Sequence, residues 1–234
     1  MAAGRPVGTG VPIPGRHGPA LIAHGAGNTA ARARAAITEV ADCIEVDLWV
    51  HDDRFEARHE RAIYPLPVWF EKWYLRLAPR RPFGLAELLR EAGSEVGILL
   101  DLKNGGADAA RLIRRALDEA GPSVRVAASS QLWHTLRQVN LMCPEIDLFY
   151  SIDVQAKFDL FRSVAERDFQ PAGVSCRHTL LTQAMVSDLH AGGLKVVAWT
   201  VDDLDRAAEL AAWGVDGITT HRVAGIRARL GIER

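Results

Sequence analysis

Cysteine is scarce in this 234-residue chain: Cys43, Cys143 and Cys176 lie apart, in apolar contexts, and form no CxxC pair. Such a set argues against a disulfide framework or a zinc site and points to buried free thiols. Long apolar runs are also missing. No stretch approaches the roughly 18 consecutive apolar residues of a membrane span, and the first residues lack the compact apolar segment of a secretory signal. A cytoplasmic location is therefore expected. Nor is there a surplus of one charge: 28 Lys and Arg stand against 29 Asp and Glu, so nothing in the charge balance calls for a nucleic-acid partner. No GxGxxG follows the first apolar run, so the phosphate turn of a doubly wound sheet is absent.

What the chain does have is 48% hydrophobic residues, enough to bury one sizeable core. Residues 1–20, rich in Gly and Pro and without periodicity, read as a flexible N-terminal arm, and residues 21–234 as a single domain. Within that domain short apolar runs alternate with segments of helical period. Strands are predicted at "LIAHG", "CIEVDLWV", "VGILLDLK", "VRVAAS", "DLFYSID", "AGVSCRH", "KVVAWTVD" and "DGITTH". Helices are predicted near 29–41, 85–93, 107–121, 130–139, 155–167, 181–192, 204–213 and 222–230. Eight strands, most followed by a helix, in a length near the roughly 250 residues typical of the type, predict a TIM (β/α)8 barrel.

That architecture gives meaning to the second strand, which plants Glu45 and Asp47 inside an apolar run. Residues two apart share a strand face, and the polar ends of barrel strands meet at one mouth. The third strand closes with Asp101 and Lys103, and the first with His24. Three converging carboxylates need a cation. Oxygen ligands from Glu45, Asp47 and Asp101 suit Mg²⁺ or Ca²⁺ better than zinc, while Lys103 adds a second positive charge for an anionic substrate. The plainer alternative pairs these acids with Lys103 or with arginines elsewhere. After Asp47, "HDDR" reads as a turn and "FEARH" as a strand that returns His59 to the mouth, where His24 and His59 are suited to general acid and base work. His51, in the turn, is expected to be solvated, and His17, His134, His178 and His190 to be structural or at the surface.

"IAHG", "IEVD", "RH", "LLDLK", "VVAWTVDD" and "GVDGITTH", in that order over roughly residues 20–230, resemble the glycerophosphodiester phosphodiesterase family, TIM-barrel enzymes. The resemblance implies metal-dependent hydrolysis of a phosphodiester bearing glycerol or a related alcohol, a role in lipid metabolism. It implies catalysis by His24 and His59, a metal on Glu45, Asp47 and Asp101, phosphate contact by Lys103 and an aromatic pocket wall from Trp199. The chain departs from the family where an arginine usually follows the first histidine: here the sequence is His24, Gly25, Ala26, Gly27. Arg58 or Arg61 is then the candidate replacement, and Asn28 a candidate hydrogen-bond donor. His221 stands where the family often has Asp. Loss of that arginine and the use of "DLK" also resemble the spider-venom phospholipase D branch of the same barrel, which attacks choline phospholipids and forms cyclic phosphates.

Residues 61–82, "RAIYPLPVWFEKWYLRLAPRRP", interrupt the barrel after the second strand and interleave five aromatics with Lys72, Arg76, Arg80 and Arg81. They read either as a lid contacting an amphiphilic substrate or a lipid surface, or as an aromatic cluster against the rim. The spacing of Trp69, Trp73 and Leu77 also suits an amphipathic helix. Asp202 and Asp203 are expected to cap the helix that follows. Rival readings are a binding barrel without turnover and, more weakly, a Schiff-base enzyme using Lys103. Oligomeric state has no signature in the sequence.

Overall fold

The computed structural model describes residues 18–232 apart from 40, 72, 95, 122, 166 and 168. Residues 1–17 of the expected arm, with His17, and Lys72 lie outside the described residues.

Strands β1 (Ala20–Ala23), β2 (Cys43–His51), β3 (Arg54–Ala57), β4 (Arg61–Ala62), β5 (Val68–Glu71), β6 (Tyr74–Leu77), β7 (Gly97–Leu102), β8 (Val126–Ser130), β9 (Asp147–Ile152), β10 (Gly173–Arg177), β11 (Lys195–Trp199) and β12 (Gly217–Thr220) follow one another along the chain. Helices α1 (Ala30–Thr38), α2 (Leu85–Ala92), α3 (Gly106–Ala120), α4 (Trp133–Met142), α5 (Gln155–Ala165), α6 (Gln183–Ala191), α7 (Leu204–Ala212) and α8 (Val223–Leu230) alternate with the parallel strands. Strands β1, β2, β7, β8, β9, β10, β11 and β12 pair in parallel, and β1 closes the ring by pairing with both β12 and β2. This is the predicted TIM barrel.

The alternation along β2 positions the site. Ile44, Val46 and Leu48 face outward into the layer shared with the helices, and Cys43 faces inward with Ile22, Leu99, Ala127, Phe149 and Val197. By the two-residue period Glu45 and Asp47 stand on the same inner face, above that apolar plug. Helix α3 answers with Ala109, Ala110, Leu112, Ile113 and Ala116 buried at helical spacing. Helix starts are fixed by side-chain caps: Thr29, Thr182 and Asp203 accept from the N–H of Arg32, Met185 and Arg206. Asp203 is thus the cap expected at α7; Asp202 is not, and is used at the site instead.

Two expectations are corrected. The 61–82 insertion is not an amphipathic helix but a three-stranded antiparallel sheet, β4-β5-β6. Its period is two: Trp69 pairs with Arg76 on the inner face, whereas Val68 pairs with Leu77 and Phe70 with Leu75 on the outer one. Trp69 is buried and Trp73, between strands, is 96% exposed. Aromatic and β-branched residues favour this extended arrangement over the helix that Trp69, Trp73 and Leu77 alone would suggest. His51 is not solvated either; it is half-buried, stacked on Tyr64 with ring centroids 4.0 Å apart.

At the start of β10 a Cβ added to Gly173 would fall 2.0 Å from the carbonyl oxygen of Lys195 on the adjacent strand. Since backbone, unlike a side-chain tip, cannot swing aside, Gly173→Ala is expected to destabilise the barrel by about 1–3 kcal/mol or more. Urea denaturation with unchanged m-value would show this as a lowered midpoint; an unchanged midpoint would contradict it.

Candidate functional site

Glu45, Asp47 and Asp101 each place a carboxylate oxygen so that the three lie within 4.8 Å of one another. Register makes this compact: Asp47 of β2 sits beside Asp101 of β7, and Glu45 one step below on the same face. At that separation each like-charged pair costs about 3 kcal/mol at an effective dielectric of about 20. One ammonium answers them. Lys103 Nζ lies 2.6 Å from Asp47 Oδ1 and also pairs with Asp101, so part of the plainer alternative, pairing with Lys103, is present.

One cation for three anions leaves the cluster short of positive charge, and the protonation equilibria reflect this. Glu45 is held well above the usual carboxylate range by its burial and then by the charges of Asp47 and Asp101. Asp101 is raised as well, burial outweighing Lys103. Asp47 is the one held low: burial works against its charge, but Lys103 and a hydrogen bond from Asn28 prevail. Lys103 is raised despite burial, by Asp101, Asp47 and Glu45. A divalent ion fits such a set. Its donors are all oxygen and they converge, with Glu45 and Asp47 buried.

The loop after β1 is shaped by this cluster. Gly25, with φ 57°, turns its N–H onto Glu45 Oε2, a left-handed geometry that disfavours the arginine usual in the family. Asn28 is consumed by Asp47: its Nδ2 donates to Asp47 Oδ2 at 2.7 Å and its Oδ1 accepts the Asp47 N–H at 2.9 Å. Its expected contact with substrate is therefore corrected to a positioning contact with Asp47.

Arg58 is corrected as well. Its side chain is 3% exposed, donates from Nε to Glu56 at 3.1 Å and to the Glu60 carbonyl, and lies over Trp49 and Trp69 at 5.0 and 5.4 Å. The guanidinium braces the base of the insertion and is spent there.

A cavity of about 260 Å³ at the mouth is lined by His24, Glu45, His59, Asp101, Lys103 and Trp199, among others. His59 is half-exposed, with Nδ1 3.0 Å from Glu71 of β5. His24 Nδ1 lies 2.9 Å from His221 Nε2, and His221 Nδ1 lies 2.8 Å from Asp202 Oδ2. Burial, then the nearby His221, lowers His24 to about 4. Trp199 lines the cavity with its indole Nε1 buried and unpartnered. Ser129, Ser151, Ser175 and Thr219 add hydroxyls.

Glu71, His221 and Asp202 were not anticipated in these places. His221 ends a barrel strand just as His24 does, and that signal was available; Glu71 depends on a long-range sheet pairing that local pattern does not carry.

The Glycerophosphoryl diester phosphodiesterase family model matches residues 106–224. YhdW of Bacillus subtilis (strain 168), provisionally named a glycerophosphodiester phosphodiesterase, is 24% identical over 215 residues, 82% of this chain and 88% of that protein. An Oleispira antarctica phosphodiesterase, solved in complex with the product sn-glycerol-3-phosphate, superposes with a TM-score of 0.77 at 19% identity, covering 92% of this chain and 97% of that one. A glycerophosphodiester phosphodiesterase from Parabacteroides distasonis gives 0.72 at 20%, covering 90% and 96%.

An acid whose native pKa is raised above its unfolded value loses folding stability as pH climbs between the two. Glu45→Gln is therefore expected to stabilise the chelator-treated protein at pH 8, with the difference vanishing below the ordinary glutamate range. Adding Mg²⁺ or Ca²⁺ should raise the wild-type melting temperature and leave the variant's unchanged. Equal responses of the two proteins would remove Glu45 from the cation site.

Proposed function

Because the chain belongs to the glycerophosphoryl diester phosphodiesterase family, whose members are phosphoric diester hydrolases, we propose that its mouth cavity cleaves a glycerophosphodiester by imidazole acid–base catalysis beside a divalent cation. The observation that carries this reading is the convergence of His24, His59, Glu45, Asp101 and Lys103 on one cavity, with Asp47 directly behind Lys103.

In this reading Glu45, Asp47 and Asp101 hold the ion, with Mg²⁺ or Ca²⁺ favoured by the all-oxygen donor set. When bound, it polarises a non-bridging phosphate oxygen and offsets the charge that grows on the way to the transition state. Lys103 adds a fixed positive charge, and the unpartnered indole N–H of Trp199 offers the substrate a donor. One imidazole takes the proton of the attacking hydroxyl while the other protonates the leaving alkoxide. Attack by water yields a phosphomonoester directly; attack by the substrate's own neighbouring hydroxyl yields a cyclic phosphate first. One domain, residues 21–234, carries the activity. The reading places it in the cytoplasm, in keeping with three buried, unpaired thiols and with the finding that no helix among the described residues is long and apolar enough to cross a membrane.

The insertion favours an amphiphilic substrate such as a lysophospholipid. The outer face of its sheet exposes Leu75 and Leu77, with Ile63, Leu66 and Trp73 exposed in the connections and Arg61, Arg80 and Arg81 exposed along the same segment. This combination matches an anionic lipid surface.

Hydrolysis of a panel of glycerophosphodiesters and lysophospholipids should require Mg²⁺ or Ca²⁺ and cease with chelator, with a bell-shaped pH profile. His24→Ala and His59→Ala should each lower kcat by about 10²- to 10⁴-fold, and phosphorus NMR identifies the first product. No turnover with either metal would refute the proposal and leave a binding barrel. Wild-type protein should co-sediment with phosphatidylglycerol vesicles and a Trp73→Glu, Leu77→Glu double variant should not; equal sedimentation removes the lipid contact.

A further inference from the structure

We propose that Asp202 and His221 are positioning residues for His24, holding its ring proton on Nδ1 so that Nε2 is left to accept the proton of the attacking hydroxyl, which makes His59 the acid. This rests on the phosphodiesterase reading above and assigns the two roles within it.

The chain of contacts has a direction. Asp202 is anchored by Thr220, whose Oγ1 donates to Asp202 Oδ1 at 3.0 Å, and by the His221 N–H at 2.8 Å. Its carboxyl is held below the usual range: burial opposes the charge, and the hydrogen bonds from His221 outweigh it. A carboxylate accepts only, so the His221 Nδ1 at 2.8 Å carries the hydrogen of that bond. A neutral imidazole has one N–H, which leaves His221 Nε2 as an acceptor. The His24 Nδ1 that meets it at 2.9 Å must then be the donor. Its other nitrogen, Nε2, keeps a lone pair.

A doubly protonated His221 would reverse the direction. That form would put a cation against His24, which already faces the positive charge of Lys103 with His59, and for which Asp47 is the acid acting most strongly in the other direction. Thr200 Oγ1, 3.5 Å from His24 Nδ1, and Arg32, which donates to the His24 carbonyl at 3.1 Å, complete the surroundings. At His59 the geometry differs: Nδ1 meets the Glu71 carboxylate directly. During turnover the new O–P bond forms as the attacking hydroxyl gives its proton to His24 Nε2, and the scissile P–O bond breaks as His59 gives its proton to the alkoxide. Asp202, through His221, balances the imidazolium formed. Exchange with solvent resets both rings.

The test is histidine ¹⁵N NMR on the full chain at pH 7.5, with the His24 resonances assigned by their loss in His24→Gln. The wild type should show His24 protonated at Nδ1. In His221→Ala it should shift to the Nε2–H form that free imidazoles prefer, with kcat lowered about 100-fold and KM within about threefold. His221→Gln, whose amide can donate to Asp202 and accept from His24, should restore the Nδ1 form and most of kcat. An Nε2–H tautomer in the wild type, an unaltered His24 in His221→Ala, or a kcat loss in which Gln fares no better than Ala would each overturn the proposal. Failure of the wild type on every diester would sink the phosphodiesterase reading alone, since the tautomer is read without substrate.

Discussion

Three carboxylates crowded at the mouth of a barrel, with one ammonium among them, set the terms for everything near them. Burial, and after it their mutual repulsion, keeps Glu45 and Asp101 above the ordinary carboxylate range and makes the site an acceptor of positive charge. The neighbouring chain is arranged to sustain that imbalance. Gly25 turns an N–H onto Glu45, Asn28 grips Asp47 from both sides, and Lys103 bridges Asp47 and Asp101. None of these contacts completes the neutralisation of the three carboxylates.

The two histidines are held by different parts of the molecule. His24 is tied to His221 and Asp202 across the meeting of β1 and β12, within the barrel itself. His59 hangs from the insertion, through Glu71 of β5. The insertion in turn is braced by Arg58, packed between Trp49 and Trp69 and bonded to Glu56. Arg58 thus serves the imidazole beside it through the framework and not by reaching the cavity. The small sheet has two jobs on two faces: an inner one that holds a ring and an outer apolar one turned to the surroundings.

The barrel was legible because its signal is repeated and local: runs such as "CIEVDLWV" and "VGILLDLK" each carry a strand, a face and a polar terminus. The acid cluster was legible for the same reason, since a period of two puts Glu45 and Asp47 on one side whatever the tertiary detail. The insertion misled because Trp69, Trp73 and Leu77 satisfy a helical spacing by coincidence, while the pairing of Trp69 with Arg76 that actually organises them is visible only in three dimensions. Arg58 and Asn28 were located correctly along the chain but assigned the wrong partners. Both are polar residues whose hydrogen bonds go to carboxylates on neighbouring strands, and partners of that kind are not encoded in spacing.

The ring seam has its own consequence. The first strand of the barrel meets the last: the His24 N–H bonds the Thr220 carbonyl at 2.9 Å, and β1 pairs with β12 in register. These two segments lie nearly two hundred residues apart in the chain, so their pairing carries a large loop-closure cost and must wait for both. Until the final strand docks, the first histidine has neither its carbonyl anchor nor its imidazole neighbour. The surroundings of His24 are thereby made to depend on closure of the whole ring, the longest-range contact that the barrel contains.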